Sequence, residues 1–138
     1  MIKSHPLPKD IDLRLSRLAL LLERRDDVAF AYLFGGLARG VRRPLSDVDI
    51  AIYLRDTETL AETKLDLVGL LADTLGSDEF DLVILNRAPI TLVGRILRNR
   101  KVLVDRFPHC RHQFESRKLR EFFDFSRKEE AILQQRFG

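Results

Sequence analysis

Cysteine is nearly absent: Cys110 is the only one in 138 residues, so no disulfide can close within the chain. That fits a reducing compartment, and a cytoplasmic location is the expectation. Long apolar runs are missing too. No stretch of 18 apolar residues occurs, which excludes a transmembrane helix by length. The opening MIKSHPLPKD has no apolar centre and reads as neither a signal nor a transit peptide. Nor does one sign of charge dominate: 24 Lys and Arg against 21 Asp and Glu leave +3. A pI near 9.3 suits an anionic ligand, but so small an imbalance gives no ground to expect direct binding of DNA or RNA. There are no repeats and no low-complexity segment. What remains is ordinary globular composition, 45% apolar and 33% charged. One domain over 1–138 is expected, with its core over about 28–105 and a C-terminal helix over about 113–136.

Two familiar phosphate loops are also lacking. Gly35 and Gly40 have the spacing of a P-loop, but Val41 and Arg42 follow where Lys and Ser or Thr are needed. Gly35, Gly36 and Gly40 do not fit the G-x-G-x-x-G dinucleotide fingerprint either.

The informative stretch is residues 33–54, LFGGLARGVRRPLSDVDIAIYL. It reads as the end of an apolar strand, a glycine turn, a basic turn across Pro44, and a second strand opened by two carboxylates. Residues i and i+2 of a strand share a face, so Asp47 and Asp49 project together while Val48 and Ile50 face the core. Two neighbouring carboxylates repel each other, and a cation between them removes that penalty. Carboxylate and phosphate oxygens are the ligands Mg²⁺ prefers. Glycine lets backbone N–H groups approach a phosphate closely, and Arg39 is placed to add a charge-assisted contact. Together these residues define a metal–triphosphate site.

The stretch resembles the signature of the polymerase-beta-type nucleotidyltransferases, G-S-x-x-R-G followed by S-D-x-D. It is most similar to the minimal nucleotidyltransferases, small single domains often paired with HEPN-domain toxins. Matched to that motif, Gly35, Arg39 and Gly40 form the loop, and Ser46, Asp47 and Asp49 the metal-binding strand. The family's loop serine is Gly36 here. A hydroxyl expected to bond a phosphate is lost, at a cost of about 1.5–3 kcal/mol, and a backbone N–H remains.

Elsewhere the pattern alternates helix and strand. Asp10 is a helix N-cap, with Ile11, Leu15, Leu18 and Leu22 at helical spacing. Residues 28–34, VAFAYLF, read as a central strand covered on both faces. Leu37, Ala38 and Arg39 begin a short helix aimed at the phosphates. Thr59 and Glu62 have capping-box spacing before a helix that Gly76 ends. A third strand spans 79–86. Asp81 near its start needs solvent or a partner. By the resemblance it is the third metal carboxylate and the general base. Pro89 starts a helix, 101–105 form the last strand, and Arg95, Arg98, Arg100 and Lys101 make that end basic. His109, Cys110 and His112 give at most three zinc ligands and fall in a loop before the final helix. On that helix Phe114, Leu119, Phe122, Phe123 and Ile132 belong to the core or to a dimer or partner surface.

The expected fold is α/β: a small mixed sheet of about four strands with flanking helices. The resemblance implies a Mg²⁺-dependent transfer of AMP from ATP to a hydroxyl, that of a tyrosine by the same likeness, of a partner HEPN ribonuclease toxin, which makes the chain an antitoxin. It also implies a homodimer or a hetero-oligomer with that toxin. Other readings stay open: a catalytically weakened antitoxin that neutralises by binding, a small-molecule (antibiotic) nucleotidyltransferase, and a nucleotide-binding regulator without transfer.

Overall fold

The computed structural model describes residues 10–38 and 48–137. Helix α1 (Ile11–Glu23) leads into β1 (Val28–Phe34). Strand β2 (Val48–Leu54) and α2 (Leu60–Leu75) follow, then β3 (Phe80–Ile84) and a 3₁₀ turn at Leu85–Arg87. Helix α3 (Ile90–Arg98), β4 (Arg100–Asp105) and α4 (Pro108–Phe137) complete the order. The four strands form one mixed sheet in the order β3-β2-β1-β4. Strand β1 is antiparallel to both neighbours, and β2 and β3 are parallel. Among the described residues no helix is long and apolar enough to cross a membrane.

The continuous apolar run of β1 gives it a central place, because only a strand covered on both faces can bury every side chain. Six of its seven residues are buried. Leu33, with Val48, Ile50 and Ile52 of β2, packs on the face covered by Leu15, Leu18 and Leu22 of α1 and Leu67 and Leu71 of α2. Phe30 and Tyr32 face the other way, with Ala51, toward Val93, Ile96 and Leu97 of α3 and Phe114 of α4. The two layers therefore split β2 by parity, and Asp49 falls on the α3/α4 side.

Several element ends differ from expectation. The third strand stops at Ile84 instead of 86 because Asn86 leaves the ladder and bonds β2 from the side. Its Nδ2 donates to Leu54 O and its Oδ1 accepts from Leu54 N–H, both at 2.9 Å. The last helix begins at Pro108, so His109, Cys110 and His112 lie in its first turns and not in a loop. Proline suits a first helical position, where no N–H is required. Neither expected cap forms. Asp10 Oδ1 accepts from Arg14 Nε at 2.9 Å instead, and Thr59 Oγ1 sits 3.5 Å from Thr63 Oγ1. Gly76 does end α2, in the left-handed conformation with φ 66°.

Helix α4 is fixed at two points, one against α3 and one against the sheet. The first is Gly94 of α3, where a Cβ would enter the Phe122 ring, 2.6 Å from its Cγ. Gly94→Val should therefore overpack this crossing and cost about 1–3 kcal/mol. A fall of several degrees in melting temperature checks it. The second is Glu115, only 8% exposed. Its Oε2 accepts from the fully buried Tyr32 hydroxyl at 2.6 Å and from Arg100 Nε at 3.0 Å, and Arg111 Nη1 donates to both carboxylate oxygens at 3.1 Å. Burial opposes ionisation of Glu115, but the hydrogen bonds from Tyr32 and Arg100, joined by Arg111, outweigh it and hold the carboxyl below its ordinary range. Burial, reinforced by the carboxylate, pushes the Tyr32 phenol up. Nothing in the sequence pattern marks Glu115, which stands among charged residues that read as a solvated face.

Candidate active site

One row of residues crosses the sheet at the C-terminal end of β1. Asp81 of β3 pairs with Asp49 of β2, Asp49 pairs with Phe34 of β1, and Phe34 pairs with Arg100 of β4. Side chains in register on neighbouring strands share a face, with strands about 4.7–4.9 Å apart. The sheet thus brings Asp49 and Asp81 side by side although 32 positions separate them. Asp49 is half-buried and Asp81 is exposed. Both lie on the α3/α4 side, at the rim where that layer ends.

The turn after β1 meets this pair directly. Gly35 has φ +72°, a conformation that favours glycine. A Cβ there would overlap the Asp49 carboxylate and lie 3.3 Å from its Cγ. Glycine is required twice over, by the backbone and by the approach of Asp49. Gly36, Leu37 and Ala38 continue as a turn, so the expected helix start is not seen among the described residues. Leu37 is 2% exposed and joins the α1/α2 core, which pins the loop. Arg39, Gly40, Ser46 and Asp47 lie outside the described residues, as does the basic turn of Arg42 and Arg43.

Among the described residues no group of three or more His, Cys, Asp or Glu side chains could hold a metal ion. Asp49 and Asp81 supply two carboxylates of such a set. Without a Cβ at Gly35 the backbone of the turn comes close to the Asp49 carboxylate, and oxygen-only donors suit a hard cation. The residues present fit a divalent metal.

A cleft of about 320 Å³ adjoins the turn. Phe34, Gly35 and Leu92 line it together with Arg95, Arg98 and Asn99 from the end of α3. In the sequence these arginines are no more than a basic end. Their convergence on Gly35 depends on the pairing of β4 with β1, which no local pattern encodes.

A mixed sheet that aligns two aspartates beneath a glycine turn defines a nucleotidyltransferase-like protein, and the comparisons with known proteins agree. The family described as "Polymerase beta, Nucleotidyltransferase" matches residues 17–108, from within α1 to the start of α4. The chain belongs to this family. No curated protein matches it by sequence. Solved structures share the fold. A MntA–HpeT toxin–antitoxin mutant superposes with a TM-score of 0.71 at 23% identity, over 89% of this chain and 98% of that one. A toxin–antitoxin with AMP-PNP gives 0.71 at 24%, over 89% and 98%. A tri-AMPylated Shewanella oneidensis HEPN toxin in complex with MNT antitoxin gives 0.68 at 22%, over 92% and 98%.

Proposed function

We propose that the chain is an antitoxin that transfers AMP from ATP to a hydroxyl, a tyrosine for preference, of a partner HEPN ribonuclease. The observation that carries this reading is the register pair Asp49–Asp81 against the α-carbon of Gly35. Family membership supports the chemistry. Likeness to a structure described as an MNT antitoxin with a tri-AMPylated HEPN toxin, and to one described as a toxin–antitoxin with AMP-PNP, supports the acceptor and the nucleotide.

Asp47, Asp49 and Asp81 would hold Mg²⁺. The ion, when bound, neutralises phosphate charge and polarises the α-phosphorus. The turn from Gly35 and Gly36 to Arg39 and Gly40, with Ser46, binds the phosphate chain through backbone N–H groups and the guanidinium. Asp81, exposed beside Asp49, accepts the proton of the incoming hydroxyl. The hydroxyl oxygen bonds to the α-phosphorus in line, the bond to the bridging oxygen breaks, and pyrophosphate leaves with that electron pair. ATP labelled at the α-phosphate should pass its label to the partner, and ATP labelled at the γ-phosphate should not. Equal labelling from both, or from neither, would refute AMP transfer.

Gly36 favours a second reading, occlusion of the toxin without turnover, because the loop lacks a hydroxyl at this place. Among the described glycines only Gly35 and Gly76 have positive φ, so the backbone at Gly36 admits a serine. Gly36→Ser should raise the transfer rate roughly tenfold or more if the hydroxyl acts in the transition state. A transfer assay that shows no AMP with either residue, while the toxin stays inhibited in a stable complex, would establish occlusion.

A further inference from the structure

We propose that the cleft at the end of α3 seats the nucleoside of the incoming nucleotide, with the base against its apolar wall and an arginine plane over it. This rests on the reading of Asp49 and Asp81 as the transfer site. Gly35 links the two places. It touches Asp49 on one side and lines the cleft on the other, so one ligand can set its phosphates at the turn and its remainder beside α3. The volume, about 320 Å³, lies at the lower end of the roughly 300–1,000 Å³ typical of small-molecule sites.

The lining fits a planar base. Phe34, Leu92 and Ile96 supply the apolar wall. Arg95 and Arg98 are exposed, and among the described residues neither has a hydrogen-bond or ion-pair partner. Arg100 differs: its Nε bonds Glu115 and its Nη1 bonds Leu97 O at 2.6 Å. A guanidinium without a carboxylate can stack on an aromatic ring. Asn99 brings one amide donor pair and one acceptor to the rim. It is held there because the next residue, Arg100, pairs with Phe34, and because its own N–H bonds Ile96 O at 3.2 Å. The phosphates are assigned to the turn because the reacting phosphorus must lie beside Asp49 and Asp81.

Binding of ATP, adenosine and inorganic tripolyphosphate to the full chain with Mg²⁺ tests the proposal, in wild type and in the Arg95→Ala/Arg98→Ala double variant. Both positions are exposed, and a thermal melt verifies the fold. The double variant should bind ATP about tenfold more weakly, bind adenosine less, and keep its tripolyphosphate affinity. Unchanged ATP affinity would overturn the proposal while AMP transfer by wild type left the functional reading standing. An equal loss for tripolyphosphate would also overturn it, since the arginines would then hold phosphate. A wild type that binds no nucleotide would overturn both.

Discussion

Asp49→Asn is expected to lower AMP transfer by roughly three orders of magnitude or more. The change keeps the shape of the side chain and so keeps the contact with Gly35. It removes one of the two carboxylates that the register of β2 and β3 places together. Charge stabilisation by a bound metal contributes several kcal/mol to a phosphoryl-transfer barrier, and each 1.36 kcal/mol is tenfold in rate. A thermal melt of the variant separates loss of transfer from loss of fold. A variant that transferred AMP at more than about a tenth of the wild-type rate would remove Asp49 from the site.

Glu115→Ala should produce the largest loss of stability. Three groups lean on this carboxylate: the Tyr32 hydroxyl, with no exposed surface, Arg100 and Arg111. Alanine leaves the buried Tyr32 hydroxyl without its acceptor, and leaves Arg100 to Leu97 O and Arg111 to Asp105. Breaking a buried charged network by removing one partner costs about 3–5 kcal/mol. Denaturant unfolding would read this directly. Glu115→Gln should cost less, since an amide oxygen still accepts from Tyr32. The pH dependence separates the two contributions. The folded carboxyl titrates below its ordinary value of 4.5. The unfolded chain therefore binds the proton more readily, and stability rises with pH in that range. The contribution is complete above about 4.5 and is lost as the pH falls through the depressed value. In Glu115→Gln that part of the acid dependence should disappear. An acid limb identical to wild type would show that the Glu115 carboxyl titrates alike in the folded and unfolded chain.

Much of this architecture could be read from local sequence because local physics decides it. A seven-residue apolar run has no exposed alternative, so β1 is central. Alternation along VDIAIYL sends Val48 and Ile50 to the α1/α2 core and leaves Asp49 on the other face. Asp81 stood out because a carboxylate heading an apolar strand needs solvent or a partner, and the fold leaves it exposed, in register with Asp49. What stayed hidden depends on distant partners. Asn86 looks like an ordinary turn residue until Leu54 lies beside it. Asp10 and Thr59 have capping side chains, but Arg14 and Thr63 compete for them. Glu115 is one charge among many on a long helix until Tyr32 meets it across 83 positions. The cleft beside Gly35 likewise exists only once β4 has paired with β1.

The most direct measurement of the central claim is the intact mass of the partner HEPN protein, expected from a neighbouring reading frame, after incubation with this chain, ATP and Mg²⁺. The account predicts additions of whole AMP units that are absent with Asp49→Asn or when the metal is chelated. An unmodified toxin in the presence of the wild-type chain, under conditions where the two form a stable complex, would contradict it.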